Sequence, residues 1–196
     1  MSADLSDLVR QRRSAYAFDP RPVSDADLRA VFDVARHAPS SFNEQPWRYV
    51  VGRRGDAAYA AVLDALAGRN PTWAGAAPVL GLVLAAPAFE GNGRANRHAW
   101  HDVGASTAVL GLAAEARGLS LHLMAGVDGR AAAEALGVPS ALEPVAAFAL
   151  GRPAAEPGAG LPDALARRDR QRKPRRPLDQ TVFGPAWGEA LWPGGG

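Results

Sequence analysis

The chain has 196 residues, 47% of them hydrophobic, with 22 Lys and Arg against 20 Asp and Glu for a formal net charge of +2. That length carries a core and suits a single domain, and the near-balance of charge excludes a wholly polycationic or acidic-tail protein. The chain has no cysteine, which excludes disulfides, thiolate-bound zinc, iron–sulfur clusters and a thiol nucleophile.

The first residues carry no apolar run behind a basic start, so no signal peptide is expected. The longest apolar stretch, 74–88, is broken by Pro78 and falls short of the ~20 residues of a membrane-spanning helix. A cytoplasmic protein with no membrane partner is expected. Asp4 can cap a short helix bearing Leu5, Leu8 and Val9, which runs into Arg12, Arg13 and Ser14. Ser24-Asp25-Ala26-Asp27 has the form of a capping box, with Asp where Glu is usual. Leu28, Val31, Phe32 and Ala35 follow at helical spacing, and Pro39 stops that helix near Ala38.

Between Pro39 and Trp47 lies a polar loop, then a strand over 48–51. Tyr59, Val62, Leu63 and Leu66 mark a further helix ended by Gly68. The unbroken apolar run 79–85 reads as a central strand buried on both faces. A Gly/Asn-bearing loop spans 87–96, and a helix rich in small residues runs from 99 to 117, with Gly118 as its stop. Leu119, Leu121 and Leu123 alternate as a strand would, with His122 on the polar side. A short helix over 131–136, an apolar strand over 145–150, a Pro/Gly linker and a basic tail complete the order. The elements define an α+β class. The expected layout is one domain over 1–196, with about 152–172 as linker, 173–192 as a C-terminal extension and 193–196 disordered.

Several signatures are missing. Asn96 stands where the third glycine of a dinucleotide fingerprint belongs, and there is no P-loop and no nucleophile elbow. His98, His101 and Asp102 lie together at a helix start but lack a matched further ligand, so no metal is expected. Arg12-Arg13-Ser14 joins two guanidinium forks to a hydroxyl, a set suited to phosphate. The basic run from Arg167 to Arg176 suits three roles equally: a nucleic-acid backbone, a solvated tail, or a bound phosphate onto which it folds back. In the loop, Ser40, Ser41, Asn43 and Gln45 offer donors and acceptors to a flat polar heterocycle.

In order along the chain, these segments resemble the nitroreductase family. The matching blocks are Arg12-Arg13-Ser14; Ala38-Pro39-Ser40-Ser41 with Asn43, Gln45, Pro46 and Trp47; Trp73 with Ala77-Pro78; Asp102-Val103-Gly104; Met124-Ala125-Gly126; Leu150-Gly151; and Arg175-Arg176-Pro177-Leu178. The resemblance implies a mainly antiparallel sheet flanked by helices in an interlocked homodimer. FMN would lie at the subunit interface. It implies hydride transfer from NADH or NADPH through flavin N5 to a nitroaromatic, quinone or similar small-molecule acceptor, in a ping-pong sequence and without a side-chain nucleophile. By matched position, Arg12, Arg13 and Ser14 would hold the FMN phosphate and ribityl chain, with Lys173 and Arg175 closing over the phosphate. The partner would supply Pro39, Ser40, Ser41 and Asn43. Asn70 would meet the pyrimidine edge, and the backbone at Ala125 and Gly126 the reactive centre. Phe42, Trp73, Phe89 and His101 would shape the acceptor pocket. On this reading the tail serves flavin phosphate, and no nucleic-acid partner is expected. Tyr16 and Trp73 stand where family members carry basic residues. Reductive dehalogenation, flavin fragmentation, heterocycle dehydrogenation and non-catalytic FMN binding are the alternatives on the same fold.

Overall fold

The computed structural model describes residues 4–192; the expectation of disorder over 193–196 lies outside them. The N-terminal helix α1 (Leu5–Gln11) starts at Asp4, whose side chain makes no capping bond, and it buries none of its residues. Helix α2 (Asp25–Ala35) begins where the Ser24 hydroxyl accepts the Asp27 N–H at 3.0 Å. The capping box closes on this side alone. The Asp27 carboxylate accepts the Ser24 hydroxyl itself, because Asp is one methylene shorter than the usual Glu.

Strand β1 (Trp47–Arg53) is followed by α3 (Ala57–Asp64), the short α4 (Pro71–Ala74) and β2 (Val79–Ala85). The long helix α5 (Ala99–Glu115) leads to β3 (Ser120–Met124), α6 (Gly129–Ala135), β4 (Glu143–Gly151) and α7 (Asp163–Arg170). The four strands form one sheet in the order β1-β2-β4-β3, every pairing antiparallel.

Both faces of this sheet are covered, which explains why β2 is apolar throughout. Val79 and Val83 pack with Val31, Val103, Leu110 and Phe148 in a core built with α2 and α5. Leu80, Leu82 and Leu84 pack with Val62, Trp73 and Ala147 in a second core with α3 and α4. Gly81 marks a close approach, since a Cβ there would stand 2.3 Å from the Phe148 ring.

Three expectations need correction. The presumed linker over 152–172 contains α7, which buries Leu165, Ala166 and Asp169. His122 is buried rather than on a wet face, and Leu123 is the exposed member of its strand. The alternation misleads because β3 is covered on the His122 side by the segment after α1. Trp73, expected to shape the acceptor pocket, is 2% exposed. It packs edge-on to Tyr16 and stacks with Phe18 in the second core, so it presents no face to an acceptor.

Candidate functional site

The segment after α1 is laid against edge strand β3 by alternating side-chain bonds. The Ser120 hydroxyl donates to the Arg13 carbonyl at 2.8 Å and accepts the Ala15 N–H at 3.0 Å. His122 Nδ1 lies 2.8 Å from the Ala15 carbonyl. A carbonyl only accepts, so Nδ1 carries the proton. Burial, joined by the nearby Arg12 charge, lowers the His122 pKa; the Ala15 carbonyl and Asp169 act in the opposite sense. Tyr16 and Trp73 pack against its ring at 4.5 and 4.4 Å between centroids.

This anchoring presents Arg12, Arg13 and Ser14 to a cavity of about 360 Å³ whose other wall is the end of α7 and the chain beyond it. That wall contributes Arg168, Arg172, Lys173 and Arg175. Cations from the two ends of the chain therefore converge. Their hydrogen bonds go to carbonyls: Arg13 to Asp169 O at 3.1 Å, Arg172 to Arg12 O at 2.7 Å, and Arg175 to Lys173 O at 3.3 Å. Among the described residues none of these side chains forms an ion pair, and together they outnumber the one carboxylate of the cavity wall, Asp169. A group with several anionic oxygens fits this donor set, since guanidinium forks engage two oxygens at once.

Asn70 and Gly126 meet at a second position. The Asn70 carboxamide donates to the Gly126 carbonyl at 2.8 Å, and the Ala67 N–H reaches the same carbonyl at 2.9 Å. Ala125 and Gly126 are exposed. Trp73 follows Asn70 in α4 and touches Tyr16, which lines the cationic cavity, so this second position is joined to the first by packed aromatic rings.

The loop after α2 is placed elsewhere. It is held by Asp102, 3% exposed in the first turn of α5, whose Oδ2 accepts the Ser41 N–H at 2.9 Å. His101 Nδ1 lies 3.0 Å from the other oxygen, with its side chain outside. The Ser40 hydroxyl accepts the Gln45 N–H, and the Gln45 carboxamide donates to the Asn43 carbonyl, both at 3.0 Å. Phe42, Asn43 and Gln45 all have positive φ, a conformation that costs a non-glycine residue about 1–2 kcal/mol. This backbone leaves the Phe42 ring 90% exposed, edge-on to Phe89 at 5.8 Å. Among the described residues, the Ser41 hydroxyl and the Asn43 carboxamide take no protein hydrogen bond. Pro39 is exposed beside them.

Arg12 packs at the opposite half of α5, where a Cβ on Gly111 would lie 3.6 Å from its Cδ. At about 1.5 Å of rise per residue, Asp102 and Gly111 are roughly 13 Å apart along the helix. The chain thus brings Arg12, Arg13, Ser14, Lys173 and Arg175 together, and Asn70 with Ala125 and Gly126. It does not bring Pro39, Ser40, Ser41 and Asn43 to them. Nothing in the sequence sets Asp169 apart as a member of the cavity wall, and Asp102 stands out there only beside His98 and His101 and in the matching block Asp102-Val103-Gly104.

A two-faced antiparallel sheet with a net-cationic cavity at its edge defines an α+β protein with a site suited to an anionic ligand. Comparison with known proteins narrows this. A model of the nitroreductase family matches residues 9–72 and 66–152. A 15.4 kDa protein from the region 5′ of ask in Mycolicibacterium smegmatis is 40% identical over 152 residues, 74% of this chain and 99% of that one. Nitroreductase NfnB of the same species is 48% identical over 44 residues, 22% of this chain and 19% of that one. A solved structure described as an oxidoreductase containing FMN superposes with a TM-score of 0.87 at 27% identity, covering 95% of this chain and 94% of that one. The chain belongs to the nitroreductase family, and with it to the flavin-dependent oxidoreductases.

Proposed function

We propose that this chain binds FMN and acts as an NAD(P)H oxidoreductase on a nitroaromatic, quinone or similar conjugated acceptor. The observation that carries the reading is the cavity in which Arg12, Arg13 and Ser14 face Lys173 and Arg175. A phosphate bearing close to two negative charges is matched by such convergent, unpaired cations. The exposed Ser14 hydroxyl would meet the chain that leaves the phosphate, and the Asn70 carboxamide and the Gly126 backbone a ring system beyond it.

Held by Arg12, Arg13, Ser14, Lys173 and Arg175, FMN would supply the redox chemistry, hydride transfer from NADH or NADPH to the acceptor in a ping-pong sequence. The protein's part is to bind, orient and exclude water. The separation of the Ser41 loop from the cavity along α5 supports a homodimer in which a partner brings Pro39, Ser40, Ser41 and Asn43 to the ring. The same arrangement would set Phe42 and Phe89 over the acceptor, with His101 at the rim. The small residues of α5, among them exposed Gly104 and Ala108, suit close approach of a second copy.

The test is spectroscopic. The purified protein, reconstituted with FMN, should be yellow, sediment as a dimer with two flavins, bleach anaerobically with NADH or NADPH, and recover its colour when a nitroaromatic or quinone is added. A colourless protein that takes up no FMN overturns the proposal. Flavin that binds but is never bleached by either nicotinamide reduces it to a carrier.

A further inference from the structure

The cationic cavity contains one buried carboxylate, and its bonding is unusual for that setting. Asp169, 7% exposed near the end of α7, has cationic side chains on both walls of the cavity. Yet among the described residues it forms no ion pair. Its Oδ1 accepts the Tyr16 N–H at 2.8 Å and its Oδ2 accepts the Gly158 N–H at 2.7 Å. Its own carbonyl accepts the Arg13 guanidinium at 3.1 Å. One residue thus ties three segments together: the stretch after α1, the loop before α7, and α7 itself.

The Gly158 side of this knot is built to shape. Its φ is +83°, and a Cβ there would lie 3.0 Å from both Cα and Cβ of Ala166. The loop is pressed onto α7 with its N–H aimed at the carboxylate. A carboxylate satisfied by backbone donors leaves neighbouring guanidinium groups free, whereas one paired with an arginine would cancel a cation that an anionic ligand needs.

We propose that Asp169 is the positioning residue of this cavity, fixing Arg13 and Ser14 against the cations that follow α7 without forming an ion pair with any of them. The proposal rests on the reading of the cavity as the site of the FMN phosphate. It makes a prediction of sign. By charge alone, Asp169→Asn removes a negative group beside a phosphate and should tighten FMN. A positioning role requires the reverse, because the carboxamide sets an NH₂ donor against the N–H of Tyr16 or Gly158 and releases one segment.

The test titrates full-length apoprotein with FMN and with riboflavin, which lacks the phosphate, following flavin fluorescence. For Asp169→Asn we expect FMN affinity to fall by about tenfold or more, with riboflavin affinity unchanged. Should Asp169→Asn fail to fold, Asp169→Glu carries the same test. It keeps the charge and both oxygens on a longer arm, and a loss confined to FMN is again expected. Two controls address the underlying reading: the unaltered protein should prefer FMN to riboflavin, and Arg175→Ala should reduce that preference. If the controls fail, the cavity does not hold the phosphate. If they succeed while the Asp169 variant binds FMN as well as or better than before, or loses FMN and riboflavin equally, the positioning role is overturned.

Discussion

The Asp102 carboxylate accepts the backbone N–H of Ser41 at 2.9 Å, joining the first turn of α5 to the loop that follows α2. This bond fixes the stretch in which Phe42, Asn43 and Gln45 hold left-handed backbone. Such strain persists only where the surroundings over-determine it. Asp102→Ala leaves the Ser41 N–H without its acceptor, at a cost of about 1–3 kcal/mol. Thermal unfolding should shift down by several degrees. Amide exchange at Ser41 should rise more than exchange in β2, which distinguishes release of the loop from general loosening.

Phe42 gives the opposite expectation for stability. Its ring is almost wholly exposed and its φ is 53°, a conformation that Asn tolerates better than Phe. Phe42→Asn should therefore leave stability within about 0.5 kcal/mol of the unaltered protein, or raise it slightly. If the ring serves the acceptor, kcat/KM for a nitroaromatic should fall while anaerobic reduction by the nicotinamide continues at its former rate. A parallel fall in both would place Phe42 in fold or assembly.

Much of this fold was legible because its signals are local. The apolar run of β2 coincides with 79–85, the 3.6-residue spacing of Leu28, Val31 and Ala35 marks α2, and Gly118 ends the turn after α5 with φ +65°. The cations of the cavity were legible too, as two basic clusters at opposite ends of the chain. What escaped was non-local or compositionally masked. In α7, DALARRDR reads as a solvated basic run, although Leu165, Ala166 and Asp169 share one face and are buried. That spacing was the available signal. The four residues of α4 are too few to show a period. The burial of His122 depends on the segment around Ala15, distant in sequence, so an alternating strand suggested a wet face. Nothing near Ser41 announces Asp102 as its partner.

Gly126 and Asn70 offer a paired test. A Cβ on Gly126 would stand 2.8 Å from Asn70 Nδ2 and 3.3 Å from the Ala67 carbonyl. The carboxamide ends a flexible side chain and can move aside, so Gly126→Ala should fold, at a loss of about 0.5–1.5 kcal/mol for the broken bond. If the Asn70 carboxamide contacts the flavin, Gly126→Ala and Asn70→Ala should each weaken FMN. Their combination should weaken it little further than either alone, since both remove one interaction. Additive losses, measured by flavin titration, would assign the two residues separate roles.

His122 predicts a pH dependence whose sign is set by burial. Its imidazole is held neutral, donating from Nδ1 to the Ala15 carbonyl, with its pKa below the ordinary 6.5 chiefly through desolvation. The unfolded chain then binds the proton more readily than the folded one, so acid favours unfolding. The contribution of this residue is fully present above about pH 6.5 and is lost as the pH falls from there through the depressed folded-state pKa. His122→Gln keeps an N–H donor at the site and does not titrate. The stability advantage of the unaltered protein over this variant should therefore shrink between pH 7 and pH 5, as read from paired denaturant melts. The groups facing His122 are Arg12, Asp169 and Tyr16, and all three remain in both proteins. An advantage that is constant with pH, or that grows on acidification, would mean that the ring accepts a proton in the folded state at least as easily as in the unfolded one.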